Sequence, residues 1–129
     1  MRLRPTKSAT VTCLALTASL APVMAQEGII RTPLQMIEFP SGYQTVTGIA
    51  VVPANTCSAR HTHPGVEFNY AMEGEIILKA DGKPEEHLKA GESYQIAAGV
   101  PHSACTVGGF KSLTVHIIEK GRPLASPAP

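Results

Sequence analysis

Apolar positions along this chain come in short runs, broken by turn residues about every eight to ten positions, and no stretch holds a helical period for three turns. Short runs bounded by Gly, Pro, Asn and Asp read as β-strands. Gln44 to Val52, rich in Val, Thr and Ile, is the first clear one. Val66 to Met72 follows, and Glu75 to Ala80 and Glu85 to Lys89 flank the dipeptide Asp81-Gly82. An Asp-Gly pair between two such runs predicts a hairpin, because the tight turns that match strand twist need positive φ at their centre. Gly91, Gly99-Val100-Pro101 and Gly108-Gly109 then isolate Ser93 to Ala97 and a last strand, Lys111 to Glu119. Evenly spaced strands in a small chain predict an all-β fold closed as a barrel or sandwich. Residues 121–129, with Pro123, Pro127 and Pro129, are expected to be a disordered tail.

The first 25 residues interrupt this pattern. Arg2, Arg4 and Lys7 make a basic start, Val11 to Val23 is an apolar stretch too short to span a bilayer, and Val23-Met24-Ala25 offers small-residue cleavage before Gln26. We therefore expect a signal peptide at 1–25, export to a periplasmic or secreted location, and no stable membrane insertion after cleavage. Loss of the three basic residues would change the formal charge from +1 to −2, which gives no footprint for nucleic acid. Residues 26–120 suffice for one domain with a modest core. The chain has no Trp and only 3 Tyr and 3 Phe, too few for base-stacking platforms. Cys57 and Cys105 remain after the signal, and an even pair fits either one disulfide or two small buried hydrophobes.

The candidate chemistry lies in His61-Thr62-His63-Pro64-Gly65-Val66-Glu67 and in Gly99-Val100-Pro101-His102. Residues i and i+2 of a strand share a face, so His61 and His63 point the same way. The Pro64-Gly65 bend is expected to return Glu67 toward the same point, and His102 follows a second turn signal. Three imidazoles and a carboxylate suit one divalent transition metal, with Fe, Mn, Ni, Co, Cu and Zn all compatible. In an octahedral shell two positions stay open for a small-molecule substrate.

Other side chains are ambiguous. His116, in a strand of alternating type, faces either the cavity with Thr114 or solvent, and Tyr70 is a candidate proton donor or acceptor beside the metal. Alternation from Glu67, however, puts Asn69 and Ala71 on the ligand face. One of Tyr94 and Gln95 should see the pocket, and His87 reads as a solvated hairpin residue. Phe68, Met72, Ile76, Leu78, Ile96, Val107, Leu113 and Val115 are core or interface candidates.

The two motifs resemble the paired signatures of the cupin superfamily over nearly all of residues 26–120. His61, His63, Glu67 and Gly74 stand at the spacing of the first signature, with Asn55 at its leading glycine position. Gly91, Gly99 and His102 stand at that of the second, with Ala97 where proline and Thr106 where asparagine are usual. The resemblance implies a small antiparallel jelly-roll barrel (double-stranded β-helix) of single-domain type with the metal between its sheets, and a homodimer formed through sheet packing. It also implies that the strand of His61 and His63 lies antiparallel beside the strand of His102. Cys57 and Cys105 then come within cross-linking distance, with Cα atoms inside about 7 Å. For activity it implies a metal-dependent oxidoreductase of oxygenase, oxidase or dioxygenase type acting on a small oxygen-rich molecule. The alternatives are a metal-dependent lyase or isomerase, and a binding protein without chemistry. His116 or a Tyr hydroxyl close to the ligands favours catalysis.

Overall fold

A computed structural model describes residues 28–129, and the expected signal peptide at 1–25 lies outside them. The described residues contain ten strands and no helix: β1 Ile30–Ile37, β2 Tyr43–Val52, β3 Thr56–Cys57, β4 His61–Thr62, β5 Gly65–Ala80, β6 Glu86–Lys89, β7 Ser93–Ile96, β8 His102–Thr106, β9 Phe110–Glu119 and β10 Ser126–Pro127. They form one curled antiparallel jelly-roll sheet in the order β1-β2-β9-β5-β8-β4-β10, with β3 on β8 and both β6 and β7 on β5.

Strand β5 organises the barrel. The runs Val66 to Met72 and Glu75 to Ala80 are halves of this one 16-residue strand. Its first half pairs with β9 and β7, its second with β6 and β8, so the strand passes from one wall to the other. Gly74 makes the passage possible. Its φ is +77°, and a Cβ there would collide with the carbonyl oxygen of Gly109. The register shift between Ala71 and Glu73 adds local twist beside it. Asn55, at the leading glycine position, takes φ 56°, a conformation Asn tolerates better than most residues. Thr106, at the usual asparagine position, accepts the Gly109 N–H on Oγ1 at 3.0 Å, closing the turn into β9.

Alternation decides the core. Ile76, Leu78 and Ile96 are almost wholly buried with Val52, Ala71, Leu88 and Phe110. Burying each large aliphatic side chain contributes about 1.5–3 kcal/mol. Phe68, Met72 and Val107 are instead exposed, and Leu113 and Val115 half-buried, because their positions face outward. Cross-strand register puts Phe68 opposite Val115, and Tyr70 opposite Leu113, on that outer wall.

Two segments depart from the sequence expectation. Strand β1 has no periodic signature and all eight residues exposed, held by its ladder to β2 with a register shift between Pro33 and Gln35. The tail expected to be disordered is ordered. Ser126 pairs with Thr62 and Pro127 with His61, and Ala128 donates its N–H to the Arg60 carbonyl at 3.1 Å. Three prolines restrict the free segment's conformations, so fixing it costs less entropy, and Pro127 lies in an edge strand where a missing N–H is tolerated.

Cys57 and Cys105 face each other on β3 and β8 and form a disulfide, with Cα atoms 4.0 Å apart. The bridge spans 48 residues and encloses the first metal motif and all of β5. Replacing both cysteines with Ser is expected to lower unfolding free energy by about 2–4 kcal/mol. Urea denaturation checks this, and an unchanged midpoint would show that the bridge adds no constraint.

Candidate metal centre

Each of the four ligand candidates arrives by a different local device. His61 lies in β4 directly opposite His102, the first residue of β8. His63 is one step beyond β4, where the Gly99 N–H binds its carbonyl at 2.9 Å. This bond ties the two sequence motifs together through the backbone. Glu67 sits on the inner face of β5, paired with Ile96 and His116. Gly65 serves this strand through close approach rather than a turn conformation. A Cβ on it would collide with the carbonyl of Ile117, and Gly65 is not among the positive-φ residues.

One ligand atom from each of the four residues falls within a group whose members all lie within 4.8 Å of one another. His61 Nε2 is 3.2 Å from His63 Nε2, and Glu67 Oε2 is 2.9 Å from His102 Nε2 and 3.1 Å from His63 Nε2. Ligands about 2.1 Å from a cation and at right angles would be about 3 Å apart. The donor spacing therefore fits a transition-metal ion.

The opposite ring nitrogens explain why the Nε2 atoms converge. His61 Nδ1 lies 2.7 Å from the Ala59 carbonyl, His102 Nδ1 2.9 Å from that of Val100, and His63 Nδ1 2.6 Å from that of Leu124. A carbonyl only accepts, so each Nδ1 carries a proton; the Nε2 atoms of His63 and His102 donate to Glu67 when those rings are doubly protonated, and a ring that gives up its Nε2 proton presents that lone pair to a cation.

Electrostatics favour a cation as well. Burial alone would raise the Glu67 pKa, but hydrogen bonds from His102 and His63, with the nearby positive charges, outweigh it and hold the carboxyl well below the usual carboxylate range. Burial pushes His61 down from 6.5 against its bond to Ala59, with His102 and His63 lowering it further. For His102 burial is outweighed by the bonds to Glu67 and Val100, which raise it. A buried carboxylate among imidazoles is thus ionised and in need of positive charge.

His116 points into the barrel interior beside the cluster. It is 7% exposed, with its ring 4.6 Å from that of His63, and burial lowers its pKa to about 4 against the pull of Glu67. Tyr70 does not reach the site: it is 47% exposed on the outer wall, because in the first half of β5, up to Ala71, odd positions face inward and even ones outward. Tyr94 is the tyrosine at the site. Its hydroxyl donates to Glu67 Oε1 at 3.3 Å, and burial, then the Glu67 charge, holds the phenol well above 10.0. Pairing of Asn69 with Tyr94 carries the inward phase of β5 onto β7, the signal that selects Tyr94 over Gln95. Asn69 Nδ2 donates to the same oxygen at 3.4 Å, while its buried Oδ1 has no partner. A cavity of about 300 Å³ adjoins His63, between the 98–99 turn and Arg122, Pro123 and Ser126 of the tail.

A jelly-roll barrel with three histidines and a glutamate gathered inside it defines a class of small proteins built around a candidate metal centre. Residues 48–116 match the family model described as Cupin domain, and the chain belongs to this family. Its fold is similar to that of the DMSP lyase DddQ from Ruegeria pomeroyi, at TM-score 0.68 and 20% identity over 90% of this chain and 59% of that one. A cupin-like protein from Thermotoga maritima is similar at TM-score 0.66 and 18% identity, over 78% of this chain and 75% of that one. Among curated proteins, the HTH-type transcriptional regulators PuuR of Escherichia coli and Shigella flexneri are 45% identical over 51 residues. The match covers 40% of this chain and spans about a quarter (27%) of those relatives' length.

His87, on β6, is exposed as the sequence predicts, with Nδ1 2.8 Å from Glu75 Oε1 and Nε2 3.0 Å from Glu85 Oε1. Glu75 first and Glu85 second raise its pKa above 6.5. A raised histidine pKa stabilises the fold below the unfolded value and loses that effect as pH rises through the folded one. An NMR titration is expected to place the His87 midpoint above 6.5, and Glu75→Gln to lower it. A midpoint unmoved by that substitution would show that Glu75 is not the partner in solution.

Proposed function

We propose that this chain is an exported metal-dependent cupin enzyme, oxygenase- or oxidase-like, acting on a small oxygen-rich organic molecule. The observation that carries this reading is the presence beside the four-residue cluster of the Tyr94 hydroxyl, 3.3 Å from Glu67 Oε1, and of the buried His116 ring, 4.6 Å from that of His63 and opposite Glu67 in the strand register. A site used only for rigidity has no need of a proton donor and a proton acceptor there.

His61, His63, Glu67 and His102 hold the metal. A divalent transition metal in that setting supplies Lewis-acid polarisation of an oxygen donor and, where redox-active, electrons for dioxygen. His116, neutral at pH 7, accepts a proton from bound substrate, and Tyr94, a protonated phenol, donates one. Asn69 orients the Glu67 carboxylate and offers its free Oδ1 to a substrate donor. Tyr70 has no part in this chemistry. A metal-dependent lyase is the second reading: an acid and a base beside a metal also suit an elimination that needs no oxidant, as in a fold shared with the DMSP lyase DddQ.

Export is supported by the signal-like residues 1–25 and by the Cys57–Cys105 bridge, which suits an oxidising compartment. The partners in this reading are a small molecule and a second copy of the chain, with no nucleic acid. An outer wall carrying Phe68, Tyr70, Leu113 and Val115 around a cavity of about 330 Å³ supports a homodimer through sheet packing.

Fe(II)-loaded protein, offered a panel of small acids, phenols and sugars, is expected to consume oxygen with at least one of them. Glu67→Ala should abolish this, and His116→Gln or Tyr94→Phe should slow it by about 10²–10⁴-fold. Turnover that persists without oxygen would favour the lyase, and metal and ligand binding without turnover would favour a binding protein. In sedimentation, the chain should run as a dimer, and Phe68→Lys with Tyr70→Lys as a monomer; a monomer in both cases rejects the interface.

A further inference from the structure

We propose that residues 121–129 are a positioning element of the metal centre, acting through the Leu124 carbonyl on His63. The proposal rests on the reading of His61, His63, Glu67 and His102 as metal ligands and adds a part of the chain to it.

The three histidines are oriented by different means. His61 and His102 use carbonyls two residues earlier in their own segments, at Ala59 and Val100, so their orientation is largely local. The acceptor for His63 Nδ1 is the Leu124 carbonyl, 61 residues away. Among the described residues no carbonyl of its own segment accepts from that ring, so the tail must be docked for His63 to keep its proton on Nδ1 and direct Nε2 inward. Docking itself is well specified. Ser126 and Pro127 pair with Thr62 and His61, the Ala128 N–H binds the Arg60 carbonyl, and Arg60 Nε donates to the Pro129 carbonyl. Arg60 is fixed in turn by Asp81, 2.6 Å from its guanidinium. Strand β10 therefore lies on the strand that carries one ligand, while Leu124, two residues before it, orients the next.

The order of the tail alone would be a packing effect. Its contact with a ring nitrogen opposite a ligand atom makes it a determinant of metal affinity. Outer partners of metal-bound histidines typically contribute about 10–100-fold to affinity.

The test compares Co(II) binding, by chelator competition and by the visible absorption of bound Co(II), in the full chain and in a chain lacking residues 124–129. The expected result is Co(II) affinity about 10–100-fold weaker and an altered spectrum, in a protein whose metal-free circular dichroism is unchanged. Ala128→Pro, which removes the N–H bound to Arg60 and keeps the chain length, should weaken affinity in the same direction and decides the matter if the shortened chain does not fold. Equal affinity and an identical spectrum in the folded shortened chain, or in the proline variant if only that one folds, would overturn the proposal. Failure of the full chain itself to bind Co(II) would instead overturn the metal reading on which it rests.

Discussion

A carboxylate with 5% of its surface exposed, set among histidines, is the constraint around which this barrel is arranged. An ionised group in so dry a place is costly unless it is paired and hydrogen-bonded. Glu67 meets that demand on both oxygens: His63 and His102 at Oε2, Tyr94 and Asn69 at Oε1. Each partner comes from a different part of the sheet, so the fold must bring β5, β7, β8 and the end of β4 to one point. The bend of β5 at Gly74, the backbone tie from Gly99 to His63 and the disulfide between β3 and β8 all serve that convergence.

The same constraint explains the polarity of the interior. Below the site, the barrel closes over Ile76, Leu78, Ile96 and Phe110. At the site, the inward positions of β5 and β9 carry Glu67, Asn69, Thr114 and His116 in register. Two strands of ordinary alternation thus change from apolar to polar along one face. Free acceptor capacity at Asn69 Oδ1 is what distinguishes this lining from a closed core.

Much of this was legible in the chain because period-two alternation and turn chemistry are local signals. Asp81-Gly82 placed the β5–β6 hairpin, and the spacing of His61, His63 and Glu67 placed three ligand candidates on one side. Alternation from Glu67 correctly turned Asn69 and Ala71 inward. What local signals do not carry is the pairing of distant strands. The choice of Tyr94 over Gln95 depends on the register between β5 and β7, which no dipeptide announces. Strand β1 exists through its ladder to β2 rather than through an apolar face. The proline-rich tail reads as disordered by composition, yet its conformation is decided by the open edge of β4 and the acceptor it offers to His63. Outward-facing Phe68, Met72 and Val107 show a related limit: hydrophobicity marks them, and only strand phase assigns them to the outer wall.

X-ray absorption at the metal edge of Zn(II)-loaded protein tests the central claim most directly, because it counts the ligands rather than the turnover. The account predicts one ion per chain, with three imidazole nitrogens and at least one carboxylate oxygen near 2.0–2.2 Å, and loss of an imidazole contribution in His102→Ala. Sulfur in the shell, or a spectrum of hydrated zinc unchanged by His102→Ala, would contradict it.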